Sequence, residues 1–72
     1  MNLTLARDLL HERGYSLDLR ESAWRKRMVC RLYARRGDYA RYVCSISDLA
    51  KMAEHTFRYK ITRLPEASEA AK

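Results

Sequence analysis

The first apolar positions of the chain recur at intervals of three and four, which is the spacing of one face of an α-helix. Asn2 or Thr4 can cap the amino end of this helix, and Gly14 is typical of the left-handed residue that ends one. The apolar positions are Leu5, Ala6, Leu9 and Leu10. We therefore predict a first helix that ends before Gly14.

After Gly14 the interval between apolar residues falls to two, which is typical of a half-buried β-strand. Tyr15, Leu17 and Leu19 alternate with polar residues, and the segment 21–23 is predicted to form the turn that follows them. A short first strand is therefore expected directly after the helix.

The middle of the chain can pair with itself as an antiparallel hairpin, in which directly opposite residues share a face. A three-residue loop, Arg36–Asp38, separates apolar from polar positions, whereas a two-residue turn at Arg36-Gly37 shifts the register by one and mixes them. The apolar face then holds Met28 opposite Ile46, Cys30 opposite Cys44, Leu32 opposite Tyr42, and Ala34 opposite Ala40. The other face holds Val29 opposite Ser45, Arg31 opposite Val43, Tyr33 opposite Arg41, and Arg35 opposite Tyr39. It sets arginines against aromatic or aliphatic partners.

The end of the chain has the clearest helical period. Ser47 can cap a helix there, Asp48 suits its positive end, and Pro65 stops it. The apolar positions are Leu49, Met52, Ala53, Phe57, Ile61 and Leu64. We predict one long helix from Ser47 to Leu64, followed by a frayed tail over 65–72. Ser45 with Asp48 also matches a capping box, but that start would shorten the strand before it.

These elements predict an α+β fold in a single domain over residues 1–64. An N-terminal helix is followed by a three-stranded antiparallel meander, and the long C-terminal helix packs across its apolar side. The alternative is an all-α protein with three helices, in which residues 17–35 form one helix with Trp24, Met28 and Leu32 along a stripe. At 72 residues the chain has no room for a second domain or a deep substrate cleft.

The positive charge of the chain is concentrated in its middle. The sequence has 15 Lys and Arg residues against 9 Asp and Glu, and the segment from Arg20 to Arg41 holds the whole excess. Its cations are Arg20, Arg25, Lys26, Arg27, Arg31, Arg35, Arg36 and Arg41, and its acids are Glu21 and Asp38. A concentrated positive field attracts polyanions, and guanidinium groups bind phosphate in a bidentate fashion.

Tyrosines alternate with these cations, a pattern that grips phosphates and stacks on bases. We predict that the exposed side of the meander carries the partner-binding or nucleic-acid-binding residues: Arg25, Lys26, Arg27, Arg31, Tyr33, Arg35, Arg36, Tyr39 and Arg41. A secondary basic group, Arg58, Lys60 and Arg63, lies toward the end of the last helix, where cations also complement the helix dipole.

The sequence offers no candidate for catalysis. Neither His11 nor His55 has a nucleophile at a suitable spacing, so we expect no enzyme, no cofactor and no small-molecule substrate. Cys30 and Cys44 are expected to be reduced and to face the core, with a disulfide as the alternative. A zinc site needs two more ligands at a suitable spacing, so no metal is expected. No run of about 18 apolar residues and no signal peptide is present, which predicts a cytoplasmic protein without a membrane partner.

The segment from Asp48 to Leu64 resembles the D-L-A-x-x-A…T…I-T-R-L run of bacterial helix-turn-helix repressors. It departs from that pattern at Glu54 and His55, where the family turn usually carries a glycine, and the spacing to Ile61 is one residue longer. The resemblance implies direct DNA binding, with base reading by Arg58, Tyr59 and Arg63.

In its size, its charge and its lack of catalytic residues, the whole chain resembles the small proteins with which bacteriophages redirect a host machine. The nearest in character bind bacterial RNA polymerase and inhibit initiation or allow read-through of terminators. The resemblance implies a basic face combined with an apolar anchor, acting in the host cytoplasm. Trp24 with Tyr33 can supply the anchor, although a lone tryptophan is more typical of the core.

We therefore expect a non-catalytic regulator of transcription that engages RNA polymerase and its nucleic acid. Two alternatives remain at this point. One is a direct DNA- or RNA-binding module of the helix-turn-helix type, and the other is an adaptor or inhibitor of another acidic protein. The first alternative predicts strongly salt-dependent binding to free nucleic acid, and the second predicts no binding to it.

Overall fold

The computed structural model describes residues 1–65, which form three helices around one antiparallel sheet of three strands. The elements are α1 (Leu3–Glu12), β1 (Ser16–Trp24), β2 (Arg27–Arg36), β3 (Tyr39–Ser45), α2 (Ile46–Lys51) and α3 (Glu54–Ile61). The predicted α+β class is confirmed, and the all-α alternative is wrong. The predicted frayed tail lies outside the described residues from position 66 onward.

Helix α1 begins and ends as its pattern predicts. The side chain of Asn2 accepts a hydrogen bond of 2.8 Å from the backbone N–H of Leu5, which satisfies one free donor of the first turn. Gly14 has a φ of 84°, and the N–H of Tyr15 returns to the carbonyl of Leu10 at 2.9 Å. The buried residues of α1 are Ala6, Leu9 and Leu10.

Strand β1 is longer than predicted. It continues through the segment 21–23 to Trp24, and a two-residue turn at Arg25-Lys26 joins it to β2. The predicted turn at 21–23 is therefore wrong. Its residues pair across the strands instead, with Ser22 opposite Val29, so backbone hydrogen bonding continues beyond Leu32, the last buried residue of β2 in this direction.

The predicted register between β2 and β3 is wrong by one residue near the loop and by two further along. Arg36 pairs with Tyr39, which leaves a two-residue loop in which Gly37 takes a φ of 60°. Glycine at the first central position is what a type II′ turn requires. Val43 has no partner opposite, and this bulge brings Leu32 opposite Cys44. The bulge therefore reconciles a tight loop with an apolar pair at the core.

The helices cover only one face of the sheet. Leu32 and Ala34 of β2 and Cys44 of β3 point into the core, where they meet side chains from all three helices. The core residues are Ala6, Leu9, Leu10, Tyr15, Leu32, Ala34, Cys44, Leu49, Phe57, Ile61 and Leu64. The opposite face of the sheet carries no fully buried residue, and we call it the open face.

The single helix predicted from Ser47 to Leu64 is instead two helices. Met52 and Ala53 are extended, with ψ values of 139° and 153°, and they separate α2 from α3. The amino group of Met1 donates hydrogen bonds to the carbonyls of Leu49 at 3.2 Å and Met52 at 2.9 Å. A continuous helix would use these carbonyls itself, so the bonds stabilise the break.

Helix α2 begins one residue earlier than predicted, because Ser45 and not Ser47 is its cap. The Oγ of Ser45 accepts a hydrogen bond of 3.2 Å from the N–H of Asp48. The capping-box alternative therefore gives the correct start, and strand β3 ends at the same residue.

Replacing each serine by alanine should therefore show which of the two caps α2. We expect Ser45→Ala to lower the free energy of unfolding by about 1 kcal/mol, since it leaves the N–H of Asp48 without its partner. Ser47→Ala is the matched control and should change stability by less than about 0.5 kcal/mol, because Ser47 is exposed and its hydroxyl contacts the Oγ of Ser45 at 3.2 Å but caps no backbone N–H within residues 1–65. Urea denaturation followed by circular dichroism measures both, and a larger loss for Ser47→Ala would contradict the assigned cap.

Candidate nucleic-acid interface

Strands β1 and β2 extend beyond the core as a two-stranded arm, residues 20–31. None of these residues is buried, and strand β3 ends opposite Arg31, so only two strands continue. Five cross-strand pairs from Arg20↔Arg31 to Trp24↔Arg27 hold the arm together, which gives it a length of roughly 17 Å at the usual rise of a strand. The arm contains five cations and one acidic residue, Glu21.

Three consecutive cations occupy the tip of the arm. Arg25 and Lys26 form the turn with φ values of 48° and 64°, and Arg27 follows as the first residue of β2. Trp24 is 57% exposed and lies opposite Arg27, while the guanidinium of Arg25 stands 5.5 Å from the centre of the indole ring. Trp24 is therefore a surface residue, and its expected place in the core is wrong.

The open face carries Arg31, Tyr33 and Arg35, as predicted, but part of its charge is neutralised. The carboxylate of Asp18 lies 3.2 Å from Nε of Arg20 and 3.6 Å from Nη1 of Arg35. Arg20 also covers the ring of Tyr33 at 4.6 Å from its centre. Arg31 donates to the hydroxyl of Ser22 and makes no ion pair within residues 1–65.

Arg36, Tyr39 and Arg41 do not share the open face, so the prediction of a single basic surface is wrong. Arg36 pairs with Tyr39, and Arg41 pairs with Ala34, which is fully buried, so all three side chains lie on the helix-packed side. Arg36 stacks 5.0 Å above the ring of Tyr15. The physical cause is the Val43 bulge and the two-residue loop, which reverse the faces of this end of β3.

The three residues of the secondary basic group also have different surroundings. Arg58 is held by Glu54 at 2.8 Å, one turn earlier on α3. Arg63 donates to the hydroxyl of Tyr59 at 3.2 Å, and this hydrogen bond lowers the pKa of the Tyr59 phenol. Lys60 lies with Arg41 in a groove between α3 and β3.

An apolar groove runs beside the arm, where β2 has lost its partner β3. Its volume is about 240 Å³. It is lined by Trp24, Arg27, Met28, Val29, Cys30, Ile46 and Ser47. Met28 is 67% exposed although its place in an alternating strand predicts burial. One feature of the sequence indicates this exposure. Three consecutive cations lie between Trp24 and Met28, and a run of charges is rarely buried.

The described part of the chain brings no candidate set of metal ligands together. Within residues 1–65 no three His, Cys, Asp or Glu side chains come together as metal ligands, and Cys30 and Cys44 are both free thiols. The two cysteines do not face each other, because Cys44 pairs with Leu32 and Cys30 pairs with Glu21. No helix in the same residues has the length and apolar character needed to cross a membrane.

Comparison with known proteins adds nothing to this geometry. No protein family, no curated protein and no solved structure matches the chain. Any function therefore has to be argued from the arm, the open face and the grooves.

The two cysteines should differ in reactivity. Burial raises the pKa of the Cys44 thiol, with Lys60 opposing and Asp48 reinforcing the shift, and its side chain is only 3% exposed. We expect iodoacetamide at pH 8 to alkylate Cys30 at least about tenfold faster, because the thiolate is the reactive form and Cys44 is both buried and protonated. Peptide mass spectrometry over time measures both rates, and faster alkylation of Cys44 would contradict the assigned core.

Proposed function

We propose that this protein is a non-catalytic regulator of transcription that acts in the cytoplasm. Its arm binds nucleic acid, and the groove beside the arm binds a segment of the RNA polymerase that holds this nucleic acid. It acts by occupancy, because a bound arm alters the path of the nucleic acid or its access to the enzyme.

The turn at the tip of the arm carries this proposal. A two-residue turn with positive φ at both positions normally contains Asn-Gly or Asp-Gly, because side chains with a bulky Cβ substituent are strained there. This chain has Arg25 and Lys26 at these positions. Such strain costs of order 1 kcal/mol or more per residue, and it is typical of sites where the side chain has a task. Binding of a polyanion by two cations at the end of the arm is a role that accounts for this strain.

The shape of the arm fits the same task. A two-stranded ribbon fits into the major groove of duplex DNA, where its tip cations reach phosphates on either side. Arg27 and Arg31 continue the charge along the arm, and neither makes an ion pair within the described residues. Trp24 beside them offers a flat surface for an unstacked base.

The groove beside the arm supports a contact with protein as well. Trp24 and Met28 are the two most exposed apolar side chains of the arm, at 57% and 67%, and both line the groove. Exposed tryptophan beside arginine is the composition that dominates the binding energy of protein interfaces. RNA polymerase presents acidic protein surface together with bound nucleic acid, so a single arm can contact both.

A single change at the turn should raise the stability of the fold and lower its affinity for nucleic acid. We expect Arg25→Asn with Lys26→Gly to stabilise the fold by about 1 kcal/mol, since Asn-Gly is unstrained at positive φ. The same change should weaken binding to a labelled duplex, and it should reduce the slope of log affinity against log salt by about 1.8, since each phosphate contact contributes about 0.9. Thermal denaturation and fluorescence anisotropy between 50 and 200 mM salt, a range of about fourfold, measure the two effects.

Arg7→Gln with Lys51→Gln is the matched control for this experiment. It removes the same two charges from exposed positions on α1 and α2, away from the arm. We expect the salt slope of the control to stay close to that of the wild type. Equal weakening by both variants would mean that net charge alone attracts the duplex, and it would overturn the role of the arm.

The protein contact is tested with purified bacterial RNA polymerase freed of nucleic acid. We expect Trp24→Ala to weaken binding to the bare enzyme by roughly 30-fold, as for a central interface residue. Leu19→Ala is the control, because Leu19 is 43% exposed on the same strand but does not line the groove. Biolayer interferometry with and without a template duplex gives both affinities, and polymerase binding that requires nucleic acid would rule out the protein contact.

The break between α2 and α3 favours a second candidate, a helix-turn-helix repressor. The two helices are separated by Met52 and Ala53, where the sequence alone predicted continuous helix, and Tyr59 is 63% exposed on α3. Against it, Arg58 and Arg63 both make contacts within α3. The duplex-binding assay decides between the two, because this candidate requires Tyr59→Ala to weaken binding more than the turn variant does.

A further inference from the structure

A second groove lies on the helix-packed side of the sheet, away from the arm. Arg41 of β3 meets Lys60 and the following Arg63 there, and the groove has a volume of about 130 Å³. It is lined by Arg41, Tyr42, Val43, Lys60, Arg63 and Leu64. Along β2, Ala34 opposite Arg41 is seven residues from Arg27, so the groove is separated from the tip of the arm by roughly 23 Å.

The bulge at Val43 is the feature that brings Arg41 to this groove. If the pairing of Leu32 with Cys44 continued without a bulge, Arg41 would lie opposite Arg35 on the open face. The extra residue turns Arg41 to the other side, opposite Ala34. Bulges are known to redirect side chains in this way next to functional sites.

The cations of this groove are not neutralised within residues 1–65. None of the four ion pairs there involves Arg41, Lys60 or Arg63. The α3 dipole accounts for Lys60 and Arg63 near its carboxyl end, but it does not account for an arginine that comes from the sheet. Three like charges that converge repel each other, so the arrangement favours an anion between them.

Two further guanidinium groups lie around the neighbouring Tyr15, and each has at least one nitrogen atom without an acceptor within residues 1–65. Both Nη atoms of Arg36 and Nε of Arg13 are buried without a hydrogen-bond partner in the described residues. Arg13 donates through Nη2 to the carbonyl of Leu64 at 2.9 Å, and Leu64 lines the groove. Arg13, Arg36 and Arg41 all lie close enough to the Tyr15 hydroxyl to oppose the rise in its pKa that burial causes.

We propose that this groove binds a phosphate group. Its volume corresponds to roughly four water molecules, which accommodates one tetrahedral oxyanion with its nearest water. Arg41 supplies a fork-shaped donor, Arg63 supplies the N–H groups that its hydrogen bond to Tyr59 leaves free, and Lys60 supplies a point charge between the sheet and the helix. The phosphate is either free or part of a nucleic-acid backbone. The site uses no residue of the arm and stands independently of the proposed function.

The test follows the arginine side chains of the full-length protein by ¹⁵N NMR. Inorganic phosphate is titrated at constant ionic strength, and a dinucleotide with one phosphodiester is titrated in parallel. We expect the Nε–Hε signals of Arg41 and Arg63 to shift and saturate with a Kd in the millimolar range, roughly 1 mM. Arg41→Gln with Lys60→Gln should raise this Kd at least about tenfold. Arg7→Gln with Lys51→Gln removes two cations outside the groove and should leave the Kd unchanged.

The outcome of the titration shows whether the site exists and which source of phosphate it binds. Saturation by inorganic phosphate alone assigns a free phosphate, and saturation by the dinucleotide alone assigns a nucleic-acid backbone. Shifts that do not saturate, or that spread equally to the arginines of the arm, mean an adventitious ion only and overturn the site. Binding that is retained in the Arg25→Asn, Lys26→Gly variant supports a site independent of the arm, and loss of binding in this variant overturns it.

The acidic residues of the tail provide the remaining test. Glu66 and Glu69 follow Pro65 in the sequence and lie outside the described residues. We expect Glu66→Gln with Glu69→Gln to change the Kd for phosphate by less than about threefold, because the proposal assigns the phosphate contacts to Arg41, Lys60 and Arg63 and gives the tail no role. A rise in affinity of more than about tenfold would mean that the chain's own carboxylates fill the groove, and it would overturn the proposal.

Discussion

The fold depends on packing three helices against a single face of a small sheet. Leu32 and Cys44 meet across β2 and β3, and Phe57 and Ile61 of α3 close over them. A chain of 72 residues has enough apolar surface for one such layer and no more. The other face of the sheet and the far end of its first hairpin therefore remain in water, and the cations of the middle segment other than Arg36 and Arg41 occupy them. The one-sided core is thus the reason that the open face and the arm are exposed to solvent.

Two backbone features decide which surface each arginine joins. Along a strand the side chains alternate, so a shift of one residue moves every side chain to the opposite face. The two-residue loop at Gly37 and the bulge at Val43 together send Arg41 of β3 to the helix side, whereas Arg35 alternates with the buried Ala34 of β2 and stays on the open face. The strained turn at Arg25 has a comparable effect on the arm, because it ends the hairpin on two cations. Local backbone geometry therefore distributes the charge, and composition alone only supplies it.

The sequence predicts the parts of the fold that depend on local patterns. Helix α1 with its Asn2 cap, the order of the elements and the α+β class follow from periodicity and capping residues. The strand register does not, because the apolar pairs permit several alignments and only the helices, which are remote in sequence, select one. The break after α2 is equally hidden, since it is stabilised by Met1 from the other end of the chain. Trp24 was misplaced for a related reason, because an alternating strand does not reveal where the helices stop covering it.

Asp18 determines how the positive charge is divided between the open face and the arm. Its carboxylate lies between Arg20 and Arg35 on the open face, where exposed ion pairs contribute little to stability. Its effect on the electric field is larger, because it reduces the attraction of the open face for polyanions. The arm, where Arg25, Lys26 and Arg27 make no ion pair in the described residues, then becomes the most positive projecting part of the sheet. A single acid on the open face therefore leaves the unpaired positive charge concentrated at the tip of the arm, which is where the proposed function places nucleic acid.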